Sequence, residues 1–535
     1  LLLGWLASAV VLCAFLGTAP VQRTQEARVL ETAREMVGSG WQQWMIPRLN
    51  GAIRVRKPPL AYWMAAAGFE MGGVNDAAGR AATVICGWLT IGLSYQAGAW
   101  LFGRRAGIFA AAGLTCSFLF YVNDRYAETD APTALFVSAA IYFWWQAIES
   151  PPPPNRRATG MLYAGAAATA LAVMAKGPPG AYPFLFFIVM TLWTGRSDML
   201  RRLFLGGPIV VFIILAVPWW TYVLQSVGIK QFTNEIDELA GGEDHPGHFY
   251  QYFPDLLRAA APWSLMLIAA IATAIGSAVR RSGKLHGKRT WPRPQRRRIG
   301  VLVWCGVILI PLCIIRNKQP HYLLPMMPPL MLLTGWWLDR ALRVRTTPRL
   351  AGFVIDGTMI GSAAIIPAML WAARHFFGAM RQNDKILAGF VAGLLFVVCL
   401  LRWKRGRTAA VWAYLAGCMI LFPLLVGSWL PDLQPDDSRA IARQIRDTFG
   451  DGPYVAYGPN ISLALCFNLR SIIPVAHTAE QLLKDIAAEP DLVVIVQSKS
   501  QSAAAPALPA TYDVVYEITT RTQKFDLYRG LHPHP

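Results

Sequence analysis

Long apolar runs alternate with short polar breaks from the start of the chain almost to residue 430. A helix needs about 20 predominantly apolar residues to cross the hydrocarbon core of a bilayer. Runs of that kind lie near 1–18, 81–102, 106–122, 131–148 and 159–175, then end near 194, 222, 278, 315 and 338. Two more flank RHFFGAMRQNDK (374–385), and a last one covers 408–430. The pattern predicts about thirteen membrane-spanning helices. The first run has no charged lead and no small-residue cleavage site before a soluble domain, so it is read as a retained span rather than a cleaved signal.

The breaks are not alike. Those after the even-numbered runs are short and basic, among them Gly103-Arg104-Arg105, PPPPNRR (151–157), GRSDMLRR (195–202), VRRSGKLHGKRTWPRPQRRR (279–298) and RWKRGR (402–407). Cytoplasmic loops of membrane proteins carry this excess of Lys and Arg. The breaks at 20–80, 123–130 and 223–261 then face outside, and so does the tail after the last span. The sequence therefore divides at about residue 430, with a membrane domain over 1–430 and an extracytoplasmic domain over 431–535.

The tail has a different rhythm. Ile441, Ile445 and Phe449 predict a helix over 438–449. Residues 454–457 and 492–496 read as buried strands, and 514–519 with 525–528 as a closing hairpin. Thr478 followed by Gln481 is a capping-box start for a helix reaching residue 488. The fold expected is mainly α, a polytopic membrane protein with a small C-terminal α/β domain on the outer face.

Composition agrees and removes some alternatives. Of 535 residues, 54% are hydrophobic and 15% charged, and mean hydropathy is +0.36. The net charge of +19 does not indicate nucleic acid, because the basic residues sit in the loops that orient the spans. Eight Cys include no CxxC pair, which argues against a disulfide framework or a zinc knuckle. No P-loop, GxGxxG or GxSxG motif is present.

Acids and bases gather in the outer loops. Glu26, Arg28, Arg56 and Lys57 lie in the first, Arg125 and Asp130 in the second, and Lys176, His245, Lys318, His321 and Tyr322 in later ones. Transporters place such groups near mid-bilayer in broken helices, whereas these spans are nearly free of charge. Chemistry at the outer interface, on a donor already in the membrane, fits better. Sugar transfer from a polyprenyl phosphate needs a carboxylate to accept the acceptor's proton and cations to stabilise the departing phosphate.

The residues resemble a known family. Glu26, Arg28, Glu31, Arg34-Glu35-Met36, then Leu49-Asn50-Gly51, then Lys57-Pro58-Pro59-Leu60 with Tyr62-Trp63, are similar to the first outer loop of GT-C-fold membrane glycosyltransferases. Within these they most resemble the lipid A aminoarabinose transferases and the dolichyl-phosphate-mannose protein mannosyltransferase-like proteins. Thr129-Asp130, Lys176-Gly177-Pro178, Pro218-Trp219, residues 245–252 and Lys318 with His321-Tyr322-Leu323 follow in the same order.

The resemblance implies inverting transfer of a hexose or pentose from a polyprenyl-phosphate donor to a lipid or protein acceptor, in a bacterial inner membrane. It implies an Asp-Glu pair in the first loop with the Asp as base. Gln25 stands at the Asp position, and an amide cannot take that proton. Glu26 and Asp130 are the remaining candidates for the base. Gln25, Arg28, Arg56, Lys57, Tyr62, Arg125, Lys176, Lys318, His321 and Tyr322 are the expected substrate-binding set. The acid that the aminoarabinose branch carries before the Lys-Pro turn, implicated in metal binding, is Arg56 here; His245 remains a candidate ligand, and a divalent metal is a candidate cofactor. Two other readings keep the membrane architecture: a transporter of polyprenyl lipid or oligosaccharide, and a GT-C homologue that binds the donor without turnover.

Overall fold

A computed structural model describes residues 2–230, 233, 246–282, 292–343, 348–377, 382–432, 437–489, 491–499, 512–520 and 523–530. Every apolar run above coincides with a helix or a broken pair of helices. Among the described residues, seven helices are long and apolar enough to cross a membrane; Tyr252–Ala259 with Ser264–Arg280, bent by 119°, makes an eighth if counted as one span. Other expected spans are shorter or interrupted. The run at 106–122 breaks into Arg104–Thr115 and Phe118–Asn123. The Ser117 hydroxyl donates back to the carbonyls of Gly113 and Leu114 at 2.9 and 3.0 Å, an arrangement that bends helices.

By its internal contacts the chain forms two units. The first comprises Leu1–Leu16, Arg56–Ala61 and Ala81–Trp429; the second comprises Gly17–Val55, Tyr62–Arg80 and Leu430–Pro535.

The first unit is helical and built on aromatic packing. Trp5 and Trp88 stack at 4.0 Å, and each indole N–H donates to the other's carbonyl. The hairpin of Asp130–Glu149 and Arg156–Lys176 forms its centre. Asn155 starts the second of these helices by accepting from the Ala158 N–H at 2.9 Å, the usual capping contact. The two helices approach closely because Gly165 has no side chain: a Cβ there would lie 2.2 Å from Trp144. Trp144 packs on Phe187, and Trp145 on Phe186. Gly177, at φ +75, ends the second helix, so Lys176 occupies its last turn.

The second unit contains the amphipathic helix Thr24–Met36 and a five-stranded sheet. Strands Val475–Ala476, Tyr454–Tyr457 and Val493–Lys499 run parallel; Gln523–Gly530 and Tyr512–Thr519 complete the sheet antiparallel. One face of the sheet covers Ile441, Ile445 and Phe449 of the helix Ser438–Phe449, and the other covers Leu482. Thr478 caps the helix Ala479–Ala488 through Gln481 N–H, and the Gln481 side chain accepts from His477 N–H, so the cap closes one residue earlier than a strict box. Helix Leu463–Leu469 and strand Val475–Ala476 are additions to the sequence reading; both are too short to show a period.

Asn50-Gly51 forms a two-residue turn between strands Arg48–Leu49 and Ala52–Ile53, with φ of 51 and 80. Asn-Gly suits such a turn because both positions need positive φ. Glu35 accepts both turn N–H groups, at 2.5 and 3.1 Å.

Candidate functional site

A helix hairpin places the start of one helix beside the end of the next. In the first unit this sets Asp130, at the N-terminus of Asp130–Glu149, against Lys176, at the C-terminus of Arg156–Lys176. Each charge favours its own helix end. Lys176 Nζ donates to Asp130 Oδ1, and both side chains are largely buried. The 3-10 segment Pro320–Met326 packs on the first of these helices and carries His321 and Tyr322.

Three more groups, Lys57, His321 and Tyr322, complete the cluster, and Asp124 acts on it from nearby. Lys57, Lys176 and His321 all act electrostatically on Asp130. The Lys176 ammonium lies 4.3 Å from the centre of the Tyr322 ring, a cation–π distance. Burial, with the charges of Asp130 and Glu128, pushes the Tyr322 hydroxyl up to about 12. It remains a proton donor at any physiological pH. Asp124 is buried with neither carboxylate oxygen hydrogen-bonded among the described residues. Burial, then the Asp130 charge, raise its pKa well above the usual carboxylate range.

Glu128, Asp130 and His321 offer ligand atoms within 4.8 Å of one another. Two oxygens and a nitrogen suit Mg²⁺, Mn²⁺ or Zn²⁺. This donor set fits a divalent cation, although Lys176 already occupies one Asp130 oxygen. His245, the ligand expected from the sequence, lies outside the described residues.

The other expected residues have different surroundings. Glu26 belongs to the second unit and is fully buried in a fork with Arg80, at 2.7 and 2.9 Å. Arg80 also donates to the Ala19 carbonyl at 2.8 Å. Gln25 and Arg28 are half-buried on the same helix, Thr24–Met36, and Tyr62 is buried in Leu60–Gly72. Arg56 and Lys57 are half-buried in the first unit. Arg125 donates to the Leu12 carbonyl and lies over the Tyr121 ring. Lys318 points its ammonium at the carbonyls of Leu312, Cys313 and Ile315, which uses all three of its protons to cap the helix Arg293–Ile314. Burial lowers the Lys318 pKa.

The cluster thus brings together Asp130, Lys176, His321, Tyr322 and Lys57, and does not include Lys318 Nζ as a free cation. Sequence reasoning places Glu128 and Asp124 among the acids of the second outer loop without giving them a role, and Arg80 only at the end of the first polar stretch. Two acids at i and i+2 ahead of an apolar run signalled the first. A lone Arg at the head of a span signalled the last, since such charge needs a partner.

Comparison with known proteins bears on the fold that carries this cluster. Residues 56–222 match the family model described as dolichyl-phosphate-mannose-protein mannosyltransferase. A curated relative in Serratia proteamaculans, undecaprenyl phosphate-alpha-4-amino-4-deoxy-L-arabinose arabinosyl transferase, is 26% identical over 446 residues, covering 79% of this chain and 74% of its own. An uncharacterised protein of Aquifex aeolicus is 25% identical over 332 residues, 61% of each chain. The crystal structure of ArnT from Cupriavidus metallidurans without ligand superposes with a TM-score of 0.76 over 98% of this chain and 97% of its own, at 23% identity. The same protein bound to undecaprenyl phosphate gives 0.75 over the same shares, again at 23% identity. Fold, family model and relatives converge on one likeness: the chain has the fold of ArnT, matches the mannosyltransferase family model over residues 56–222, and is similar to the aminoarabinose transferases.

Proposed function

We propose that this protein moves a sugar from a polyprenyl-phosphate donor to a lipid or protein acceptor at the outer face of a bacterial inner membrane, with the C-terminal sheet on the extracytoplasmic side. The observation that carries the reading is the cluster of Asp130, Lys176, Tyr322 and His321, with Lys57 acting on it. It holds a carboxylate and cations at the head of an apolar helix hairpin, where a membrane-bound donor meets water.

The roles follow from chemistry. Lys57 and Lys176 neutralise the donor phosphate. An ammonium has three protons, so Lys176 can turn from Asp130 to a phosphate oxygen. That exchange leaves Asp130 a carboxylate with its pair loosened, ready to take the acceptor's proton. The acceptor oxygen then bonds to the anomeric carbon from the face opposite the phosphate. The carbon–oxygen bond to the phosphate breaks, its electron pair leaves with the polyprenyl phosphate, and the sugar's configuration inverts. Tyr322, protonated, donates to a phosphate or sugar oxygen. A divalent cation held by Glu128, Asp130 and His321 would supply further charge neutralisation at the phosphate.

The test is transfer of label from a polyprenyl-phosphate sugar by the purified protein in lipid. Wild type transfers, and Lys57→Ala transfers more slowly with a raised KM for donor. Absence of transfer by wild type over a panel of donor sugars with envelope glycolipid and glycoprotein acceptors, or an unchanged rate in both Lys57→Ala and Asp130→Asn, would remove this reading.

A further inference from the structure

The second unit contains a polar cavity of about 300 Å³, none of whose lining residues belongs to the cluster above. Four of its walls are arginines: Arg439, Arg443, Arg446 and Arg470. Three of them recur at i, i+4 and i+7 on the helix Ser438–Phe449, whose opposite face buries Ile441, Ala442 and Ile445 against the sheet. Asp76 is the one acid in the lining, and it lies 3.7 Å from Arg439. Four positive charges against one negative, around a space lined by polar atoms, select an anion.

The guanidinium groups are held in place and keep donors in reserve. Arg446 donates once to the Asn468 carbonyl at 3.0 Å, and Arg470 once to the Val74 carbonyl at 3.1 Å. Each guanidinium has five N–H donors, so most of those on Arg446 and Arg470 are uncommitted to protein carbonyls. Arg443 is exposed and has no hydrogen-bond partner among the described residues. Arg439 is different: it bonds the carbonyls of Gly17 and Thr18 and braces the wall. Arg470 adopts φ 57 at the end of the helix Leu463–Leu469, a conformation usually left to Gly.

We propose that this cavity binds a phosphate group, gripped by Arg443, Arg446 and Arg470. Planar guanidinium forks match phosphate oxygens in pairs. Asn75 to Ala77 form the opposite wall, and Asp76 begins the helix Asp76–Phe102, one of those long enough to cross a membrane. The cavity therefore sits at the head of a span, within reach of a phosphorylated lipid headgroup as well as a soluble phosphate. This site is separate from the transfer chemistry and does not depend on it.

The experiment uses the full-length protein in detergent. Native mass spectrometry counts bound phosphatidic acid against phosphatidylcholine, and equilibrium dialysis measures labelled inorganic phosphate at fixed ionic strength. Arg443→Ala and Arg446→Ala each weaken binding about tenfold, as expected for losing a charge-assisted pair. Lys484→Ala, an exposed cation elsewhere in the same unit, leaves it unchanged. Loss of both phosphatidic acid and inorganic phosphate assigns a soluble phosphate; loss of phosphatidic acid alone assigns a lipid headgroup. Absence of binding to either probe, equal binding in wild type and Arg443→Ala, or equal weakening by Lys484→Ala overturns the proposal. Arg443 is exposed, so its variant folds and decides the matter even where Arg446→Ala does not.

Discussion

Two of the buried acid–base pairs among the described residues, one in each unit, are bonded differently. Glu26 meets Arg80 in a two-bond fork with a third Arg80 bond to a carbonyl. That fork engages both carboxylate oxygens with one planar guanidinium. Asp130 meets Lys176 through a single ammonium, with Tyr322, His321 and Glu128 gathered around it. An ammonium is a point charge that can swing from one acceptor to another. Burial and charge are shared by both pairs; the saturation of their bonds is not.

The comparison breaks most easily at Arg80. Arg80→Ala leaves Glu26 charged and buried, and should cost about 3–5 kcal/mol of stability. Replacing both partners with Met should recover most of it, as read by thermal unfolding. A single variant that unfolds normally would place the Glu26 pair outside the scaffold. Next is Asp130→Asn. It should lower kcat for transfer roughly 10³-fold, about 4 kcal/mol of barrier, while Asp124→Asn, which keeps the size of a side chain whose pKa burial already raises, leaves the rate within about twofold. An Asp130→Asn enzyme that keeps its rate would make the second pair scaffold too.

Lys318→Met sharpens the contrast further. It removes a cap from three carbonyls, and should reduce stability by about 1–2 kcal/mol with little change in donor KM; a large KM change would return Lys318 to the phosphate site. The smallest effect concerns Glu35. Burial, then the Glu31 charge, hold its pKa above 4.5, against the opposing turn N–H bonds and Arg34. The folded state thus binds the proton more tightly than the unfolded chain. This contribution to stability is fully present below 4.5 and is lost as pH rises through the folded-state value. The melting temperature of wild type should fall relative to that of Glu35→Gln over that window, and parallel curves would refute it.

Much of the fold was legible because membranes impose a simple rule on sequence. Each apolar run near the length of a bilayer became a helix, and Ile441, Ile445 and Phe449 marked the tail helix at its observed bounds, Ser438–Phe449. The site was legible in part. Lys57, Asp130, Lys176, His321 and Tyr322 stood out as charged or aromatic groups at span ends. Their grouping was not legible, because it depends on which helix ends meet. Glu26 shows the limit most clearly. A motif displays a carboxylate but not the arginine 54 residues later that saturates it. Nor does sequence show the carbonyls that Lys318 bonds, since a backbone carbonyl leaves no trace in it.

Asn50 sets a timetable for synthesis. Its side-chain amide exchanges two hydrogen bonds with the main chain of Ile473, 423 residues further on, at 2.6 and 2.7 Å. A ribosome adding roughly 5–20 residues per second needs about 20–85 s to cover that distance. Glu26 and Arg80 can meet almost at once, but the Asn50 turn must wait, half-finished, while the intervening helices enter the membrane. A chain stopped before the sheet is made would carry that turn unpaired, so a segment synthesised late completes one synthesised early.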